Sequence, residues 1–253
     1  MDIATLFGLF VGVGAVLGSF LMEGGHISAL LQLPAMVLVV FGTLGASIVT
    51  TSASQLMRIP KILMVAFFEK KVNVNELIEL ITELASKARK NGLLSLEKEL
   101  PNIKDRFLKK ALQLAIDGFE ADKIREILET EMAYMEERHK AGALFFQKMG
   151  GFAPTMGIIG TVLGLIHALS SLESSKNIAS AIASAFIATL WGISTANLMY
   201  LPICDKLRAK HQDEILHYQV ITEGVISMTL GENPRIIKMR LYSFLLPEKR
   251  KEE

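Results

Sequence analysis

A chain of 253 residues, 51% apolar and 21% charged, with a mean hydropathy of +0.38, is too apolar for an ordinary soluble domain. A net charge of +1 leaves no global basic footprint for nucleic acid, and the single cysteine, Cys204, excludes an internal disulfide framework, a zinc ribbon and a CxxC redox pair. The charges are also clumped: of 27 Lys and Arg residues, 17 lie in 58–148, 9 lie in 205–253, and Lys176 stands apart. That distribution describes a membrane protein.

Crossing a hydrocarbon core about 30 Å thick takes roughly 20 mostly apolar helical residues. Four stretches reach that length. Ile3–Met22 is uncharged, and with no basic segment before it and no A-x-A-like site after it, it reads as a retained span and not a signal peptide. Ile27–Met57 is uncharged up to Arg58, and its span is expected to start near Pro34, a tolerated first-turn residue. Met149–Leu172 and Asn177–Cys204 complete the set. Cytoplasmic loops carry the Lys and Arg excess, so 58–148 and 205–253 are placed in the cytoplasm, with both termini there and short external loops around Glu23–Leu33 and Glu173–Lys176. The chain thus divides into 1–57 (two spans), 58–148 (cytoplasmic), 149–204 (two spans) and 205–253 (cytoplasmic tail).

The cytoplasmic segment is helical in pattern. After Asn73 and Asn75, either of which could cap, Leu77, Ile78, Ile81, Leu84, Ala85 and Ala88 follow a 3.6-residue period, and Asn91-Gly92 suits a left-handed cap. A second helix is expected from about Asn102 to Asp117, stopping at Gly118. A third starts near Asp122 and continues into the third span. The fourth span likewise runs past Asp205 until Gly231, and Asn233-Pro234 opens a short amphipathic helix before a charged tail. The fold class is an all-α integral membrane protein with four transmembrane helices, the last two extending into an all-helical cytoplasmic domain.

No enzyme chemistry is visible. His211 and His217 are six residues apart, a poor match for one helix face, and His139 has no HExxH partner. Gly12, Gly14 and Gly18 have GxGxxxG spacing with no preceding strand, so they read as packing glycines. Intramembrane acids mark ion relays, yet the four spans hold no Asp or Glu, and His167 and Cys204 are their ionisable candidates. An ion-moving role would therefore need a carboxylate from another chain; without one the chain is a scaffold. Gly157, Gly160, Gly164 and Ala168 on the third span, and Ser180, Ser184, Ala188, Gly192 and Ala196 on the fourth, form small-residue ridges. Packing between the two spans and packing between copies both fit such ridges.

The segment Ala88–Glu97 (ARKNGLLSLE) resembles the ARK-x-G-x-L-x-LE stretch in the cytoplasmic loop of MotA/PomA flagellar stator proteins. Gly150–Leu165 is similar to that family's third-span signature, Leu201–Leu207 to the end of its fourth span and Gly231–Arg235 to its tail. The resemblance covers the whole chain in order. It implies a stator subunit of the bacterial inner membrane, a pentamer of which surrounds a dimer of a MotB-type single-span partner carrying the ion-binding aspartate. Ion passage, H+ or Na+, drives rotation against the rotor protein FliG, with no cofactor and no nucleic acid. It favours copy-to-copy packing for Gly157, Gly160, Gly164, Ala188 and Gly192.

Residue by residue, the resemblance gives Arg89 and Glu97 to rotor engagement, with Lys90 and Glu99 nearby; the bland alternative is that the cations serve their helix C-terminus. Pro154 and Pro202 match prolines that couple span motion to the cytoplasmic domain, and each would kink its helix in any case. Thr161 and Thr189 each lie 12 residues into their spans, roughly 18 Å along, and so at similar depth. Each hydroxyl would bond back to a carbonyl four residues earlier, at Gly157 or Ala185, or line the ion path. Both match ion-path threonines of sodium-driven relatives, and a partly dehydrated sodium ion needs several oxygen ligands where a proton needs one carboxylate, which favours sodium. The rivals are a proton-channel subunit of the ExbB/TolQ type, which has three spans and lacks the Arg89–Glu97 stretch, and a membrane scaffold without ion flux.

Overall fold

The computed structural model describes residues 3–68, 73–170 and 175–249, all helix and connecting turns. The expected external loop at Glu173–Lys176 falls largely outside these residues, as do the end of the third span at 171–172 and the last residues of the tail.

Helix α1 (Ile3–Met22) is followed by a single turn, α2 (Ile27–Leu30), then α3 (Leu33–Val49), a second single turn α4 (Ala53–Leu56) and α5 (Ile59–Phe67). The second span is thus shorter than the 27–57 reading. Pro34 sits in the first turn of α3 as expected, but the helix ends at Val49, where the hydroxyls of Thr50 and Thr51 donate to the Ser47 carbonyl at 2.9 and 2.8 Å. Its 17 residues extend about 25 Å. Among the described residues, three stretches are long and apolar enough to cross a membrane: α1, α8 (Ala121–Ser170) and the helical run Ile178–Thr229.

Helix α6 (Val74–Asn91) begins where Asn73 accepts the Glu76 N–H and ends at Gly92, whose φ of 81° is open to glycine without strain. A run of 3-10 turns (Leu93–Lys98 and Leu100–Asn102) leads to α7 (Arg106–Ile116). The start of α7 differs from the expected Asn102. The cap is Asp105, whose Oδ1 accepts the Phe107 and Leu108 N–H groups at 2.8 and 2.9 Å, leaving 100–102 as a separate turn. Helix α8 then runs 50 residues to Ser170 with Pro154 inside it. Helix α9 (Ser175–Thr195) continues through a π-helical turn (Ala196–Tyr200) into α10 (Leu201–Thr229), and α11 (Pro234–Tyr242) follows an Asn233 cap.

The chain forms two compact units, residues 1–69 with 139–209, and 70–138 with 210–253. Their boundaries lie further from the spans than the charge pattern alone places them, because α5 is apolar and packs with Ala143, Phe145, Phe146 and Met149. In the second unit, α6, α7 and α11 close on the charged parts of α8 and α10. Ile78, Ile81, Leu84, Leu96, Leu108, Leu112, Ile124, Leu128, Ile221, Ile237 and Leu241 are fully buried there. Each such side chain contributes roughly 1.5–3 kcal/mol of burial. At Gly224 a methyl group would stand 2.6 Å from Ile81, so glycine is what lets α10 approach α6.

Candidate functional site

The small-residue ridges face each other within one chain. A methyl on Gly157 would lie 2.9 Å from the Ala188 carbonyl oxygen and 3.0 Å from Thr189 Cα, and one on Gly192 would lie 2.6 Å from the Ala153 oxygen. Gly160 meets Ala188 Cβ at 2.6 Å and Gly164 meets Ala185 Cβ at 2.7 Å in the same sense. The pairing runs antiparallel, 192 with 157, 188 with 160 and 185 with 164. These residues therefore build the α8–α9 contact itself, the packing between the two spans that the ridges fit. Of the first-helix glycines, Gly12 meets Leu198 and Gly14 and Gly18 face open space.

Close backbone approach brings Thr161 and Thr189 together. Thr161 Oγ1 lies 3.1 Å from both the Gly157 and Ala185 carbonyl oxygens and within hydrogen-bonding contact of Thr189 Oγ1. Thr189 Oγ1 is 3.5 Å from the Gly157 oxygen. Back-bonding within one helix, the bland expectation, holds for Thr161; Thr189 reaches across to the neighbouring helix. The result is a group of four oxygens, the hydroxyls of half-buried Thr161 and Thr189 and the carbonyls of buried Gly157 and Ala185, on two acid-free helical stretches. Such oxygens can ligate or solvate a cation but cannot carry a proton as a carboxylate does. Among the described residues no group of three His, Cys, Asp or Glu side chains is placed to hold a metal ion.

Pro154 and Pro202 occupy opposite partners of the same contact. A methyl on Gly150, whose carbonyl loses its usual helical donor to Pro154, would meet Leu201 at 2.5 Å. Pro202 has no N–H for the Leu198 carbonyl, and the helix accommodates it by widening into the π turn at Ala196–Tyr200. A kink at Pro202 is expected from the sequence but the π turn is not; a proline within an otherwise uninterrupted apolar helix is the available signal. Sequence reasoning also misses Trp191, whose indole N–H donates to the Leu30 carbonyl at 2.8 Å and ties the turn before α3 to α9.

The four charged candidates separate into two kinds. Arg89, Lys90 and Glu97 are exposed and make no side-chain hydrogen bond or ion pair among the described residues. Glu99 is half-buried and receives the Lys87 ammonium at 2.9 Å, which also lies 3.0 Å from Glu83. Glu99 first and Glu83 second raise the Lys87 pKa above its ordinary value. Glu99 thus braces the turn that presents Glu97. Behind that turn, Asp105 Oδ2 meets His217 Nε2 of α10 at 2.7 Å. Partial burial pushes the Asp105 carboxyl up, but the His217 contact and the Leu108 and Phe107 N–H groups outweigh it and hold it below its ordinary value.

Taken with the fold, long apolar helices joined through a glycine-mediated helix pair define an all-helical membrane protein. The profile of the motility protein A N-terminal family matches residues 6–92, and that of the MotA/TolQ/ExbB proton channel family matches 99–220. Motility protein A of Bacillus subtilis is 36% identical over 246 residues, covering 97% of this chain and 91% of the relative. The solved structure of C. jejuni MotAB superposes with a TM-score of 0.95 at 31% identity over 100% of both chains. The flagellar MotAB stator complex from Bacillus subtilis gives 0.91 at 36% identity over 96% of each. The chain belongs to the MotA/PomA family of flagellar motor stator proteins, whose members are channel components and not enzymes.

Proposed function

We propose that the chain is the channel-wall subunit of a flagellar stator, working with a MotB-type partner to convert ion-motive force into torque on the rotor. Four apolar segments cross the inner membrane, α3 being the shortest, and both termini are cytoplasmic, as the Lys and Arg distribution supports. Copies of the chain, a pentamer by the family pattern, surround a partner dimer whose membrane aspartate supplies the carboxylate missing from these spans. Thr161 and Thr189 serve that aspartate as ion-path oxygens, and Pro154 and Pro202 with the π turn couple the ion-path helices to residues 70–138 and 210–253. Arg89, Lys90 and Glu97 engage FliG, with Glu99 as their brace.

The contact of Thr161 with Thr189 and two carbonyl oxygens carries this reading, because it puts several oxygens where a partly dehydrated cation would need them. It favours sodium as the coupling ion. The ExbB/TolQ reading shares the profile over 99–220, but the match of 6–92 to the motility protein A N-terminal family supports the flagellar one. The test is motor speed against external sodium at constant pH and membrane potential, with and without Thr161→Ala. Speed should rise with sodium in the parent and lose that response in the variant; speed independent of sodium in the parent would leave protons as the coupling ion.

A further inference from the structure

Helix α9 is held on two sides. On one side Ala185, Ala188 and Gly192 meet α8, and Thr189 turns its hydroxyl to Thr161 and the Gly157 oxygen. Trp191 follows Thr189 by two residues, about 200° round the helix, and so lies on the far side. There its indole N–H donates to the Leu30 carbonyl at 2.8 Å, and α3, which follows, packs along α9. Leu30 is buried and ends α2, where the chain breaks before α3 restarts at Leu33; its carbonyl also accepts the Gln32 N–H at 3.0 Å. A carbonyl freed by a break between helices needs a donor where water is excluded. The donor here comes from the helix that carries the Thr189 hydroxyl.

The two attachments restrain different things. The ridge of glycines and alanines sets how closely α8 and α9 approach, but it has few side chains to interlock and resists a small rotation of α9 weakly. A hydroxyl at a radius of about 5 Å from the helix axis moves by about 1 Å for a rotation of roughly 15°. From 3.1 Å between Thr161 and the Ala185 oxygen, or 3.5 Å between Thr189 and the Gly157 oxygen, such a shift takes the contact out of hydrogen-bonding range. The indole nitrogen stands further from the axis than the hydroxyl does, so the same rotation displaces it more. A hydrogen bond is also directional where a methyl contact is not. Trp191 therefore opposes the rotation that would draw the Thr189 hydroxyl away from Thr161.

We infer that Trp191 is a positioning residue of the ion path, its hydrogen bond to Leu30 setting the rotation of α9 at which the Thr189 hydroxyl meets Thr161. This rests on the reading of the two threonines as ion-path oxygens for sodium, and the test separates the two. Trp191→Phe removes the N–H, and benzothienylalanine at the same position removes it while keeping the ring system, with sulfur in place of the N–H. Full-length chains are expressed with the MotB-type partner. The external sodium that gives half-maximal motor speed should rise roughly two- to tenfold in both variants, the range one hydrogen bond supports, with maximal speed changed less. In membranes, Thr161→Cys with Thr189→Cys, in a Cys204→Ser background, puts two sulfurs where the hydroxyls meet. Their disulfide, formed with a lipid-soluble copper oxidant and read from the mass of alkylated chains, should form several-fold more slowly when residue 191 lacks the N–H. An unchanged disulfide rate in both variants would overturn the inference, Trp191 then serving only to satisfy the Leu30 carbonyl. A slowed disulfide with an unchanged sodium response would overturn it too, the fault then lying in the ion-site reading of the threonines.

Discussion

At the residue scale, exposure separates what a side chain does for the fold from what it does for a partner. Arg89 and Glu97 are exposed and without an ion pair among the described residues, and even an exposed ion pair is typically worth only about 0–1 kcal/mol. Arg89→Glu and Glu97→Lys should therefore abolish or sharply reduce swimming while immunoblots of the membrane fraction find normal protein levels. Loss of the protein from the membrane would make these residues structural. Asp105 is the opposite case. It caps α7 and holds His217, so Asp105→Ala should destabilise the protein by at least about 1 kcal/mol at neutral pH. Because its folded pKa lies below its ordinary 3.8, its charge-dependent stabilisation is complete above that value and is lost as pH falls through the folded pKa. Thermal unfolding followed in detergent from pH 6 downward should fall more steeply below pH 3.8 in the parent than in Asp105→Asn. Parallel curves would show that the carboxylate's charge contributes nothing.

At the element scale, glycines matter where backbones meet. Gly192→Ala forces a methyl to 2.6 Å from the Ala153 oxygen and should cost about 1–3 kcal/mol as overpacking, read as a lower melting temperature in detergent. Gly14→Ala, in open space on α1, should be neutral or stabilising by up to about 1 kcal/mol. Equal effects from the two would contradict the packing account. Helix periodicity and caps make α6, α8, α10 and α11 legible in the sequence, since an Asn cap, a positive-φ glycine and a 3.6-residue apolar stripe are local signals. The start of α7 is not, because Asn102 and Asp105 are both good caps, and which one is used depends on the 3-10 turns pinned by buried Leu96 and Leu100. Helix α5 escapes as well: it is too short for a span and too apolar for a surface helix. The similar depth of Thr161 and Thr189 follows from residue counting. Their mutual contact does not, because it depends on the rotation of α8 and α9 that Gly157 and Gly192 fix.

At the scale of the whole molecule, the design is defined by what its apolar helices leave out. They supply close packing, hydroxyl and carbonyl oxygens and a proline-associated π turn, but no carboxylate. An ion entering hydrocarbon without a compensating charge is costly, so the chain should not conduct by itself. The solved MotAB complexes support a MotB partner, and the proposed function makes that partner the source of the missing group. The central claim is therefore that conduction belongs to the pair. Proton and sodium flux should be measured in vesicles containing the full chain alone, the chain with its MotB-type partner, and the chain with that partner's membrane aspartate changed to asparagine. The account predicts background flux for the first and third and selective flux for the second; selective flux through the chain alone would contradict it.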